Sequence, residues 1–551
     1  MKDTRDAVIA RKEIVNAIGM AMVLSITAIP ERQVSLPPRT IEQEQNHDDV
    51  NQGVSGGFSE VDPFDITTAP GESCAYGFSP FSTETTGTMV QDRATSRWLN
   101  LIVSDVTDST TIPLNQEHLS FNNNAPQILP HITATAPLAS VLQGALLVTS
   151  PSSLISISDQ DAWRSAENIS LSAEEQALFR HFVEELAYWL DLFDTKCHFA
   201  TYIPRLACNN AGLMNAILAL SAQHRSHTSR IHPSLPSLDP SLAVQYYYQT
   251  LRYIQDAMHL ASYNKSEEIL ATVMLVSLYE MFDESSVGWQ RHLKGVFWIQ
   301  RAQNVNGLSP GLRQALWWWW IRQDLWAALR EGRRSNSFWT PPRPVVEQNQ
   351  DELADFATIL LREAVNFAAK RSTDDASNIE TLQSRVKHAE MLQRNQECWF
   401  KCLGLPFQPL PYLLNKFEDS ASGIAHNYRE QFDPIWIHPP KFAAAIQMYN
   451  LARILVYLHC PILDGLGSQS RMQKAMQEAC TTIYGIAVTL DHSGAHIMSS
   501  QCLYGAGFCE MNEKRQAGIL ALLDECERCS GWSVRQLRHN LQRQWAGNGE
   551  H

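Results

Sequence analysis

The run Leu312 to Leu329, LRQALWWWWIRQDLWAAL, limits the possible folds more than any other part of the chain. At 3.6 residues per turn, Leu312, Leu316, Trp319, Gln323 and Trp326 fall near one side of a helix, while Trp317, Trp318 and Ile321 cover the others. A helix that is apolar all round must be contacted from several directions, so other elements have to surround it. Arg322 and Asp324 lie inside that helix and need partners, because a buried charge without one is strongly destabilising. Arg322 is one turn from both Trp318 and Trp326, a spacing that allows guanidinium-on-indole contacts. These four residues, with His292 from the preceding helical run, form the candidate structural or effector pocket; a purely structural contact is the competing reading.

The surrounding sequence is also helical. Ser172-Ala-Glu-Glu175 is a capping-box signature. Behind it, Leu178, Phe179, Phe182, Val183, Leu186, Trp189, Leu190 and Phe193 recur at steps of three and four. Comparable patterns predict helices over 209–227, 240–262, 267–283, 288–304, 310–331, 350–370, 377–403, 440–460, 470–490, 511–529 and 533–546. Pro240, Pro310 and Pro440 each fall where a first helical residue is expected, a position where the missing amide proton costs little. Little of the chain alternates with the period of two that half-buried strands require, so the expected class is all-α, a multi-helix bundle or array over 172–546.

The N-terminal part reads differently. From 33 to 165 the chain is rich in Ser, Thr, Pro, Asn and Gly, with no sustained period, which predicts a largely disordered segment. Its short apolar stretch Leu138 to Val148 is expected to be an isolated helix or a docking motif. Residues 1–32 hold a second apolar stretch, Ile14 to Ile29, shorter than the roughly 20 residues a membrane-spanning helix needs. Acidic residues Asp3, Asp6 and Glu13 precede it and no small-residue cleavage site follows, so a short amphipathic helix or a misread gene start is expected over export.

Charge and cysteine usage narrow the function classes. A net charge of −14 disfavours a surface that grips phosphate throughout. Eleven scattered cysteines, with Cys74 alone before Cys197, do not form a disulfide framework. The late group Cys502, Cys509, Cys526 and Cys529 has enough thiols for one zinc, yet Cys526 and Cys529 lie on the apolar helix ILALLDECERC, where thiols act as small buried hydrophobes. Asp191 and Asp194, with His198, are the candidate acidic metal motif of an alternative all-helical enzyme or ligand-binding protein; the bland reading is a solvated helix end. Asp283-Glu284 is a poor second motif, and His224 with His227, or His492 with His496, lack a nearby third ligand. No nucleophile elbow, P-loop or dinucleotide-binding glycine run is present. No cofactor or metal is expected.

FVEELAYWLDLFDTKCHFATYIPRLACNNAGLMNAILALSAQHRS (182–226) resembles the opening helices of the fungal-specific transcription factor domain, in the second of its two large families. GWQRHLKGVFWIQRAQ (288–303), LRQALWWWWIRQDLWAALREGR (312–333) and ECERCSGWSVRQLRHNLQRQW (525–545) resemble its later blocks, in order. The resemblance implies a helical regulatory region, the middle homology region of zinc binuclear cluster regulators, acting in the nucleus. It implies other transcription regulators or coactivators as partners, a small-molecule effector, homo- or heterodimer formation, no membrane, and control of a metabolic gene cluster. The family's six-cysteine pattern is not found in residues 1–196, so direct DNA contact by this chain is not expected. Two explanations stay open, a missing upstream exon or action through a partner regulator.

Overall fold

The computed structural model describes residues 163–231, 239–260, 262–282, 289–369, 379–412, 431–461 and 466–547. The apolar stretch Ile14 to Ile29, the segment Leu138 to Val148, Asp283-Glu284 and nearly all of the low-complexity segment lie outside these residues. The exception is Trp163 to Ser165, which composition alone places in that segment. Trp163 is buried and its Nε1 donates to Ser262 Oγ at 3.0 Å, while Ser165 N donates to Asn209 O at 2.8 Å. Packed structure therefore begins earlier than the expected boundary at 165.

The architecture is all-α. In chain order the helices are α1 (Ala173–His181), α2 (Ala187–Leu190), α3 (His198–Thr201), α4 (Ile203–Ala207), α5 (Ala211–Ile231), α6 (Pro240–Ala257), α7 (Glu267–Phe282) and α8 (Trp289–Ala302). They continue as α9 (Leu312–Glu331), α10 (Gln350–Ala368), α11 (Ile379–Lys401), α12 (Pro440–His459), α13 (Leu466–Thr489), α14 (Ser493–Gly507), α15 (Glu513–Ser530) and α16 (Arg535–Gly547). A π-helical turn, Phe182–Leu186, joins α1 to α2. Among the described residues the extended pairing is limited to one isolated antiparallel bridge, Leu410 to Trp436, with no strand. Among them, too, no helix is long and apolar enough to cross a membrane.

Local chemistry sets several helix starts as expected. Ser172 Oγ accepts from Glu175 N at 3.2 Å and Glu175 Oε2 accepts from Ser172 N at 2.8 Å, the reciprocal capping box. Asn349 and Glu352 repeat it at the start of α10. Pro240 and Pro440 are first helical residues. Pro310 is not: α9 starts at Leu312, because Gly311 takes φ 64° and ψ −138°, a conformation open to glycine that stops the helix from reaching back to Pro310. The helix expected over 240–262 ends at Ala257.

Four helices form the centre, α7, α9, α12 and α14, each buried over most of its circumference. In α9 every residue from Leu316 to Leu329 is buried, as the tryptophan run requires. The helix α14 has no counterpart among the predicted ones. Its sequence SGAHIMSSQCLYGAG shows no polar face to reveal a period, since Gly494 to Gly507 are all buried. At Gly505 a Cβ atom would sit 2.5 Å from Leu451 Cδ1, so the missing side chain lets α14 lie close on α12. The amphipathic helices close around this centre, and one continuous apolar core runs from Trp163 to Leu541.

Candidate recognition site

The predicted pocket residues separate into two groups on α9. Arg322 is 5% exposed and forms an ion pair with Asp355 of α10, the partner sequence reading did not find. Its Nη1 donates to Trp318 O at 3.2 Å, and its guanidinium lies 3.9 Å from the ring centre of Phe193 and 5.6 Å from that of Trp318. Burial pushes the Asp355 carboxyl up to about 6, against the pull of Arg322, and lowers the guanidinium's own pKa. Arg322, Trp318, Phe193 and Asp355 are thus brought together. Trp326 shares the side of Arg322, one turn on, and its buried Nε1 has no hydrogen-bond partner.

Asp324 faces elsewhere. Two residues along, it points roughly 200° around the helix. It is fully buried: Oδ2 accepts from Ser335 Oγ and Asn336 N, both at 2.7 Å, and Oδ1 from Asn336 Nδ2 at 2.6 Å. Arg333 Nη2 stands 3.0 Å from Oδ1. With those partners Asp324 anchors the loop that follows Gly332, and it does not join Arg322 in a pocket. His292 belongs to α8, and its side chain lies outside the described residues.

The acidic motif binds nearby backbone amides and the His198 ring. Asp191 accepts from Phe199 N at 3.0 Å and Ala200 N at 2.9 Å, capping the short helix α3. Asp194 accepts from His198 N at 2.8 Å, from His198 Nδ1 at 2.7 Å and from Lys196 N at 3.1 Å. Burial raises the Asp191 carboxyl to about 7 in spite of its two amide bonds. Among the described residues no group of three or more His, Cys, Asp or Glu side chains is placed to hold a metal ion. The carboxylates hold the turn between α2 and α3, and Asp194 is only 13% exposed, where the sequence suggested a solvated helix end.

The histidines and cysteines have specific places. His224 Nε2 stands 3.1 Å from Ser530 O and His227 Nε2 3.2 Å from Glu527 Oε1, so both residues of α5 are tied to α15. His492 Nδ1 accepts from Gly494 N at 3.1 Å as the cap of α14, and its ring stacks 3.9 Å from that of Tyr188. His496 is buried and neither of its ring nitrogens has a hydrogen-bond partner. Cys502 and Cys526 are buried, and burial pushes both thiols well up.

Comparison with known proteins finds one sequence relative and one family match. The transcription activator AMTR1 of Alternaria alternata is 21% identical over an alignment of 508 residues. That alignment takes in 70% of this chain and 66% of the relative, so the chain spans just under two thirds of the relative's length. No solved structure matches. Residues 177–303, which run from the second turn of α1 to just past the end of α8, match the fungal-specific transcription factor domain and lie within the helical core.

Proposed function

We propose that this chain is a nuclear transcription regulator that works by binding, through a partner regulator or coactivator or through a small-molecule effector, without covalent chemistry. The observation that carries the reading is the family match over 177–303 inside a core that continues unbroken to Leu541. On this reading the regulatory domain extends over the whole of 172–546. The bonds from His224 and His227 to α15 support that extension, because they couple the matched segment to the C-terminal helices. The relative's name, a transcription activator, supports the same class. An effector or partner that prefers one packing of these helices would shift the population between active and inactive states.

The test is to tether the full chain to a heterologous DNA-binding domain at a reporter promoter, with a fluorescent tag for location. A change in reporter output together with nuclear fluorescence is expected. A stable fusion that leaves the reporter unchanged, or that is excluded from the nucleus, overturns the proposal. Transcript profiling after deletion then shows whether a metabolic gene cluster is the target.

A further inference from the structure

Four indole N–H groups in or against the core have an acceptor within the chain. Trp163 donates to Ser262 Oγ, Trp320 to Leu293 O, Trp399 to Leu353 O and Trp545 to Gly507 O, all at 2.9–3.0 Å. One strip of α9 departs from this pattern. Trp319 Nε1, Arg322 Nε, Gln323 Nε2 and Trp326 Nε1 have no hydrogen-bond partner, although the four residues are only 6%, 5%, 0% and 2% exposed. At 3.6 residues per turn they share roughly 100° of arc within about two turns.

A buried donor without an acceptor costs about 1–3 kcal/mol, and native structures leave few such groups without a function or a bound molecule. Three fixed donors on one strip, Trp319 Nε1, Arg322 Nε and Trp326 Nε1, beside the unpaired end of the Gln323 amide, point to a shared ligand. The strip faces Ser277 of α7, whose Oγ is 3.1 Å from Gln323 Oε1, and the ring of Phe193, which covers the Arg322 guanidinium. Ser277 Oγ also bonds Met274 O, so the Gln323 amide fits Ser277 turned either way; in both settings its other end stays unpaired. The indoles and the guanidinium offer N–H groups and no acceptor. The charge of Arg322 is already balanced by Asp355, so a neutral oxygen suffices there.

We infer that this strip recognises a small, largely apolar molecule bearing carbonyl-type oxygens, held between α9, α7 and Phe193. Its oxygens would accept from the Trp319, Arg322 and Trp326 N–H groups, and its apolar body would lie against the indole and phenyl rings. The inference deepens the regulatory reading by naming the class of effector. It rests on that reading only for what binding does to transcription.

The test uses the purified full chain and three seven-carbon probes: 2-heptanone, heptanoate and heptylamine. Thermal unfolding and the indole N–H resonances of the 15N-labelled chain are followed as each probe is added. Saturable stabilisation by the ketone or the carboxylate, with movement of the Trp319 and Trp326 resonances and no such effect of the amine, is expected; the stronger of the two identifies a neutral or an acidic ligand. Trp319→Phe and Trp326→Phe keep an aromatic ring and remove the N–H, and each should weaken binding by about tenfold. Should either phenylalanine variant fold poorly, the other carries the test, with loss of the probe-induced stabilisation as the readout. If the three probes act alike, if none acts, or if the two resonances stay fixed, the inference fails. Reporter failure with probe binding intact sinks only the regulatory reading.

Discussion

His181 donates its Nε2 proton to His224 Nδ1 across 2.7 Å. The direction follows from the other side of His224, where Nε2 meets the carbonyl of Ser530 at 3.1 Å. A carbonyl can only accept, so Nε2 carries the proton and Nδ1 is bare. Burial holds both rings neutral, lowering His224 to about 3 and His181 to about 4, with Arg225 adding to the second. The edge of Trp189 and the ring of Phe282 close the site at 4.7 Å and 5.7 Å between ring centres. Three elements distant in sequence, α1, α5 and the end of α15, are thereby held by one short chain of hydrogen bonds.

Replacing His224 with Leu leaves the Ser530 carbonyl and the His181 ring without their partner in a dry site. The expected loss is about 2–4 kcal/mol, the cost of two unmet buried groups less the gain from an apolar side chain. Urea unfolding measures it. A variant as stable as the parent would show that the histidine chain contributes nothing to the joint between α5 and α15.

The pH dependence has a definite sign. His181, His224, His492 and His496 are all held low, at about 4, 3, 4 and 4. The unfolded chain takes up protons on these residues near pH 6.5 and the native chain does not, so their contribution is complete above that value and is lost as pH falls toward 4. Asp191, raised to about 7, and Asp355, raised to about 6, act the other way, favouring the native state as pH drops from neutral toward 4. The histidines outnumber them, so stability should rise between pH 4 and 6.5. His496 allows a clean check, because neither ring nitrogen has a partner to lose. His496→Phe should be neutral or stabilising at pH 5 and should remove about 1.4 kcal/mol per pH unit from the slope. A slope unchanged from the parent's contradicts the assignment.

Gly531 caps α15 at φ 64°, and a Cβ atom there would lie 2.4 Å from His224 Nε2 and 2.8 Å from Thr228 Oγ1. Gly311 has the same φ, but its Cβ would meet only His198 Nε2 at 4.0 Å. Alanine at Gly311 bears a conformational cost alone, about 1–3 kcal/mol, because ψ −138° lies outside the left-handed helical region. At Gly531, where ψ is 8°, alanine costs about 1–2 kcal/mol in conformation and about 1–3 kcal/mol more in pushing into the histidine pair, so G531A should be the more destabilising. Paired calorimetric scans of the two variants decide it, and equal midpoints would mean that the pair yields freely.

How much of this was legible in the sequence depends on where polarity changes around a helix. The capping box at Ser172 and the proline starts at Pro240 and Pro440 are local chemistry, and the structure follows them. Helix α14 was not legible, since a helix buried on every side carries no periodic signal. At the candidate site, the sequence identified Arg322, Trp318 and Trp326 as buried neighbours. It also grouped Asp324 with Arg322, although the two point to nearly opposite sides of α9. Their actual partners, Asp355 and the Ser335–Asn336 turn, are set by tertiary packing that no short window contains.

The ion pair between Arg322 and Asp355 gives the last prediction, because its two ends are unequally buried, with side chains 6% and 21% exposed. Removing one partner of a buried pair strands the other charge, at a typical cost of about 3–5 kcal/mol, whereas replacing both with apolar residues is often neutral. Asp355→Leu strands a guanidinium in a dry site and should approach the upper end of that range. Arg322→Met leaves a carboxyl that water can reach and that burial already raises toward protonation, so its cost should be the smaller. The double variant should recover most of the loss, giving a coupling energy of about 2 kcal/mol or more in a double-mutant cycle of urea unfolding. Additive losses would mean that the two charges are solvated separately.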